Sequence, residues 1–335
     1  MKLRLIAAGV LAMVAGAAVA QNINAAGATF PEPIYTKWFT EYAQAHPTVK
    51  INYQPIGSGG GIRQVSDGTV DFGASDGPMS DEQLAAAKVK VIHIPTVLGA
   101  VVPIYNLPGV SNDLNFSGDV MADIYLGKIT KWSDPRIAKD NPGVKFPDKA
   151  ILPVYRSDGS GTTFIFSDFL SKVSPEWAVS PGKGTAIKWR AGVGAAKSEG
   201  VAGMVRQTPG AIGYVELTFA TENKIQYGAV RNAAGKFLKA TPEGASAAAA
   251  ALAKTMPADY RVSITNAPGA TSYPIASFTW LLIPTHFADP AKGKAVADFL
   301  MWMLAKGEGE AAGLGYAPLP KPVADKVALT IKTIK

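Results

Sequence analysis

Apolar positions along this chain recur with two different periods, and the period switches repeatedly between them. In "EPIYTKWFTEYAQAH", Ile34, Trp38, Phe39 and Tyr42 share one helical face, with Pro31 and Pro33 near its start. "VKINYQPI" alternates instead: Val49, Ile51 and Tyr53 fall on one side of a strand. "GSGGG" then leads into a helix-like "IRQVSDG", and "VDFGAS" reads as a short buried strand ending at Asp76. "VIHIPTVLGAVVPIYNL" predicts two consecutive strands, partly buried on both faces. "ILPVY" predicts a further short strand, and "TPEGASAAAAALAK" a helix of high alanine propensity. Near the end, "DPAKGKAVADFLMWMLAKG" places Val296, Phe299, Leu300, Met303 and Leu304 at helical spacing, as expected of a helix covering a sheet. The alternation of the two periods predicts an α/β fold, with no long linker and no internal repeat.

Residues 1–20 depart from this pattern. Lys2 and Arg4 precede a short apolar run over 5–14, and Ala18-Val19-Ala20 forms a small-x-small site before Gln21. This predicts a secretory signal peptide cut after Ala20, not a membrane anchor, because the apolar run is too short to span a bilayer. Subtracting those 20 residues from 335 leaves 315, more than one core comfortably holds, so two domains are expected. The chain has no cysteine, so neither disulfides nor a lipidated N-terminal cysteine is available, and a freely soluble periplasmic protein is expected. The net charge of +7 falls to +5 without Lys2 and Arg4. That balance suits an anionic ligand, but the absence of charge blocks and of basic–aromatic repeats argues against nucleic acid.

Three polar loops carry the candidate chemistry. "AGATF" (26–30), "GSGGG" (57–61) and "SDGSGTT" (157–163) each combine glycine with a hydroxyl and each feeds a predicted helix. The first turn of a helix presents unpaired N–H groups and a partial positive charge, so it attracts anions. Glycine permits close backbone approach, hydroxyls add donors, and Arg156 adds a forked cation matched to a tetrahedral oxyanion. Singly, "AGATF" and "GSGGG" read as ordinary caps or turns, whereas "SDGSGTT" with Arg156 is more specific. "GSGGGIR" lacks the Gly-Lys-Ser/Thr end of a P-loop and fails the dinucleotide G-x-G-x-x-G pattern, which points to a small free anion instead of a nucleotide. Asp76 sharpens this. A carboxylate accepts a hydrogen bond from protonated phosphate but repels sulfate, which has no proton to give near neutral pH.

The motifs "AGATFPEPIYTKW", "IGSGGGIRQ", "DFGASDGPMSDEQL", "YRSDGSGTTFIFSDFL" and "GYAPLP" together resemble the PstS family, the periplasmic phosphate-binding proteins of ATP-driven phosphate importers. The resemblance covers nearly the whole mature chain, and "NINAAGATFP" is also similar to the related DING proteins. It implies a two-lobed periplasmic-binding-protein fold (type II) with the ligand cleft between lobes. Lobe 1 is expected from 21–100 plus 275–335, and lobe 2 from 101–274. Carried over by motif, the phosphate-binding set is Thr29, Phe30, Ser58, Asp76, Arg156, Ser160, Gly161 and Thr162, with Asp158 steadying the Arg156 guanidinium. One departure is visible: Gly59 stands where the family often has a second serine. The resemblance further implies a monomer that binds inorganic phosphate and docks on the importer's membrane permease subunits, with no cofactor, metal or catalytic residue.

Two rivals fit less well. An enzyme would need a signature that is missing: "DGSGT" is not G-x-S-x-G, there is no H-E-x-x-H, and the three histidines His46, His93 and His286 lie apart from any carboxylate cluster. A binding protein for another oxyanion would share most donors, but Asp76 opposes it.

Overall fold

The computed structural model describes residues 21–111 and 113–335, so the signal-peptide reading of 1–20 lies outside the described residues. Eleven strands are described: β1 (Gln21–Gly27), β2 (Val49–Pro55), β3 (Phe72–Ser75), β4 (Val91–Tyr105), β5 (Asn115–Phe116), β6 (Leu152–Arg156), β7 (Val193–Ala195), β8 (Ala211–Glu216), β9 (Ala229–Arg231), β10 (Phe237–Leu238) and β11 (Ala276–Pro284). Eight of them form one sheet in the order β2-β1-β3-β11-β4-β8-β6-β7, and β10-β9-β5 form a second, small sheet.

The long sheet consists of two parallel groups separated by antiparallel strands. At one end β1 runs parallel to both β2 and β3; at the other, β6 runs parallel to both β8 and β7. Between them β11 and β4 run antiparallel to each other and to their outer neighbours β3 and β8. β4 changes partner midway: Val91 to Ala100 face β11, and Val101 to Tyr105 face β8. One continuous strand thus links the two ends, where the sequence pattern predicts two strands. Pro95 and Pro103 read as interruptions because they remove ladder donors. The structure absorbs the first at a bulge, where the register slips between Thr279 and Trp280 and skips Thr96, whose hydroxyl donates to the Thr279 carbonyl at 3.3 Å.

Aromatic side chains pack around each parallel group within one continuous buried core. Helix Glu32–Ala45 buries Ile34, Tyr35, Trp38, Phe39 and Tyr42, and helix Pro290–Ala305 buries Val296, Phe299, Leu300 and Met303. The rings of Phe39 and Phe299 meet at 5.3 Å between centroids, and Tyr42 lies edge-on to Phe299 at the same separation. At the other end Phe166 stacks on Tyr214 at 4.3 Å, with Tyr125 and Trp189 against the same tyrosine. The architecture is α/β, as the alternating periods predict, with a parallel group at each end of one mixed sheet. No described helix is long and apolar enough to cross a membrane.

Candidate functional site

The carboxyl ends of the parallel strands bring the polar loops together, as open α/β sheets generally do. Thr29 and Phe30 follow β1, Ser58 follows β2, Asp76 follows β3, Arg156 closes β6, and Ser160 to Thr162 lie just beyond it. All are buried, and Thr29, Ser58, Asp76, Ser160 and Thr162 are at most 1% exposed.

The second loop is shorter than its sequence suggests. Helix Ser58–Asp67 begins at Ser58, so Gly59, Gly60 and Gly61 form its first turn. Packing overrides the poor helix propensity of glycine here. A Cβ on Gly61 would lie 2.5 Å from the Ala74 carbonyl oxygen, so only glycine lets this turn rest on β1 and β3. In the third loop Ser160 caps helix Gly161–Val173 by accepting from the Thr163 N–H at 3.1 Å.

The two walls of the cleft are in contact. The Gly59 N–H donates to the Gly159 carbonyl at 2.8 Å, and the Thr29 hydroxyl lies 2.8 Å from the Ser198 hydroxyl. A Cβ on Gly161 would lie 2.5 Å from Ser58 Oγ and 2.6 Å from Asp76 Cβ. Gly57, at φ +88°, faces the Asp158 carboxylate just as closely. The glycine at position 59 has the same logic: its Cβ would sit 3.0 Å from Gly159 Cα, so a serine would crowd the opposite wall.

Asp76 is fully enclosed. Its Oδ1 accepts from the Thr279 hydroxyl at 2.8 Å and its Oδ2 from the Ser58 hydroxyl at 3.3 Å. Burial pushes its carboxyl from an ordinary 3.8 up to about 7, against the downward pull of Thr279, the Arg156 charge and Ser58. Arg156 faces the reverse situation. Its Nε and Nη2 donate to the two oxygens of Asp158 at 2.8 and 2.5 Å, and its Nη1 donates to Ser198 at 3.3 Å. Burial pushes Asp158 up, but the Arg156 hydrogen bonds and charge and the Lys197 amide outweigh it, so its carboxyl is held below the usual range. A guanidinium carries five N–H groups, so two of those on Arg156 remain to be engaged.

Further donors stand unpaired around these groups. Among the described residues, none accepts from the backbone N–H of Phe30, Ser58, Gly161 or Thr162. The Thr162 hydroxyl is likewise buried without a hydrogen-bond partner. Buried polar groups are nearly always satisfied, so this cluster of donors marks a place for acceptor atoms.

Sequence comparison decides the family. The chain matches the model of the PBP superfamily domain over residues 13–306. It is 44% identical over 315 residues to the phosphate-binding protein PstS of Pasteurella multocida, covering 94% of this chain and 91% of that one. To PstS of Haemophilus influenzae it is 41% identical, covering 94% of each. The chain belongs to the PstS family. The fold agrees with two solved structures. A putative phosphate ABC transporter substrate-binding protein from Clostridium perfringens, with bound phosphate, superposes with TM-score 0.66 at 18% identity, covering 90% of this chain and all of that one. A high-affinity periplasmic phosphate-binding protein of the DING group, bound with phosphate, superposes with TM-score 0.73 at 22% identity, covering 92% and 93%.

Around the expected site residues of this PstS chain, the structure adds four side chains that the sequence reading does not assign to the site. Thr279 holds Asp76, and Ser198 touches Thr29 and Arg156. The Tyr214 hydroxyl accepts from the Arg156 amide at 3.2 Å and pairs with Thr163 at 2.7 Å. Tyr316 of "GYAPLP" donates to the Phe30 carbonyl at 2.7 Å and contacts Glu216, whose carboxyl burial pushes well above its usual range. Two signals were present: Thr279 is a hydroxyl inside the apolar run "SFTWLLIP", and "AAKSEG" is a fourth hydroxyl-bearing turn ahead of a helix. His93, by contrast, is structural. Its Nε2 accepts from the Met79 N–H at 3.0 Å, and burial pulls its pKa down to about 4.

Proposed function

We propose that this protein binds inorganic phosphate in the cleft and delivers it to an ATP-driven importer without chemical conversion. The observation that carries the reading is the sealed cluster of unpaired donors at Phe30, Ser58, Gly161 and Thr162, set between a buried carboxyl and a buried guanidinium. In this reading the amides of Phe30, Ser58, Gly161 and Thr162 and the hydroxyls of Thr29, Ser58, Ser160 and Thr162 replace the hydration shell of the anion. Arg156 neutralises charge with its two remaining N–H groups, oriented by Asp158. Asp76 accepts the phosphate proton. The phosphate-bound structures of the same fold and the PstS relatives support this assignment.

The partner switch of β4 between Ala100 and Val101 supports a division into two lobes. We assign 21–100 plus 275–335 to lobe 1 and 101–274 to lobe 2, with phosphate gripped between them and released when the importer pulls them apart. Closure around a ligand is a common hinge motion, and the contacts at Gly59–Gly159 and Thr29–Ser198 are those of a shut cleft. With the leader expected over 1–20 removed, the mature protein would work in the periplasm, where the importer's permease subunits would meet it as a monomer.

Titration calorimetry on protein unfolded and refolded to strip carried-over anion tests this reading. One-to-one phosphate binding with silent sulfate is the expected result. Sulfate binding of equal strength would keep the fold and reject the role of Asp76; silence for both anions would reject the function.

A further inference from the structure

Ser198 lies outside every motif that carries the family resemblance, yet it is the hinge point of the cleft's hydrogen bonding. It is 1% exposed, at the second position of helix Lys197–Gln207, which leaves the carboxyl end of β7 at the far edge of the sheet. Its hydroxyl accepts from Arg156 Nη1 on its own wall at 3.3 Å and lies 2.8 Å from the Thr29 hydroxyl on the opposite wall. Lys197, just before it, holds φ at +61°, a conformation unusual for a residue with a side chain. That turn aims the Lys197 N–H at Asp158 Oδ1, 2.9 Å away, so one carboxylate fixes both the guanidinium and the helix that delivers Ser198. Strain held in place by such contacts is a mark of functional positions.

The chemistry of the pair gives these contacts a direction. A guanidinium can only donate, so Ser198 Oγ must be the acceptor of the Arg156 bond. Its own proton is then free for Thr29 Oγ1, and the Thr29 proton is free in turn to point into the cleft. Each bond in such a chain polarises the next. We propose that Ser198 is a positioning residue for anion binding: it relays the donor polarity of Arg156 to Thr29 and ties the two walls together when the cleft is shut. The inference rests on the phosphate-binding reading above. It assigns Ser198 to the retention of the anion, since the Thr29–Ser198 bond spans the two walls and forms only on closure.

Stopped-flow binding of inorganic phosphate to the refolded full chain tests it, with wild type, Ser198→Ala, Ser198→Thr, Thr29→Val and the double variant Thr29→Val/Ser198→Ala. We expect Ser198→Ala to speed phosphate release about tenfold, the scale of one hydrogen bond, and to change the association rate less than about twofold. The thermal midpoint of the ligand-free protein should stay at the wild-type value. Ser198→Thr, which keeps the hydroxyl, should restore slow release, and the double variant should release no faster than Thr29→Val alone. If the added methyl of threonine lowers the ligand-free midpoint, Ser198→Gly replaces it and should match Ser198→Ala. Unchanged release in Ser198→Ala, or additive losses in the double variant, overturns the inference while leaving phosphate binding intact. A wild-type protein that binds no phosphate overturns the functional reading and this inference with it.

Discussion

Asp76 and Arg156 are buried on opposite walls of one cleft, and their surroundings differ in kind. Asp76 has only hydroxyl partners, Thr279 and Ser58, and burial lifts its carboxyl to about 7. Arg156 has a dedicated counter-charge, Asp158, bound through both oxygens. The Arg156 wall is therefore neutral before any anion arrives and keeps spare N–H groups, whereas the Asp76 wall keeps a carboxyl whose proton is undecided near neutral pH. An anion of fixed charge would need only the first wall. The second wall makes sense for an anion that brings a proton of its own.

Substitutions at the two walls should separate those roles. The largest effect is expected from Arg156→Ala, which removes the charged donors and leaves the half-buried Asp158 without its charged partner. We expect phosphate affinity to fall by ~3 kcal/mol, about 150-fold, as measured by calorimetry, together with a lower thermal midpoint. Unchanged affinity would remove Arg156 from the site. Asp76→Asn should act on choice of anion more than on strength, because the amide can donate to an oxyanion that has no proton. The phosphate-to-sulfate preference should drop by about thirtyfold, roughly 2 kcal/mol, in competition titrations. A variant that still ignores sulfate would show that shape, not Asp76, discriminates.

Gly161→Ala tests shape without charge. Its Cβ would press on Ser58 and Asp76 across the cleft, so the shut form alone is crowded. Phosphate affinity should fall about tenfold, within the usual cost of overpacking, while the ligand-free midpoint holds or rises slightly. A midpoint that falls in step with affinity would mean that the two walls stay in contact even without ligand.

The smallest effect is a slope in pH. Between about pH 4 and pH 7 the folded, ligand-free protein holds a proton on Asp76 that the unfolded chain has already lost. The folded state then binds more protons, so its stability should fall as pH rises through that window and level off above it. Glu32 and Glu308, also raised by burial, add to this slope and His93 opposes it, so Asp76→Asn should remove only the share due to Asp76. Sulfate competition should strengthen in the wild type as pH falls from 8 to 5, because a protonated Asp76 can donate. Parallel stability profiles in the wild type and Asp76→Asn would contradict the raised carboxyl.

Local signals made the loops legible from sequence. Glycine and hydroxyls ahead of helical periodicity marked "AGATF", "GSGGG" and "SDGSGTT", and Asp76 stood out as a charge after a short apolar strand. The partners of these residues were not legible, because topology alone brings them close. Thr279 lies 203 positions from Asp76, Tyr316 lies 286 from Phe30, and Ser198 lies 169 from Thr29. β4 was misread as two strands for a local reason: Pro95 and Pro103 signal breaks, and only the pairing with β11 and β8 shows that a bulge carries the strand through. The start of helix Ser58–Asp67 is not legible because three glycines in a row read as loop, whereas the close approach of Gly159 to Gly59, Ile56 to Gly60 and Ala74 to Gly61 favours residues without side chains there.

The most direct test of the two-wall account is a crystal structure of the refolded protein grown with phosphate. The account predicts one tetrahedral anion between the walls, with a phosphate oxygen against Asp76 on one side, two oxygens on Arg156 on the other, and the amides of Phe30, Ser58, Gly161 and Thr162 each donating to it. Phosphate bound away from Asp76, or held by Arg156 with those amides still unpaired, would contradict it.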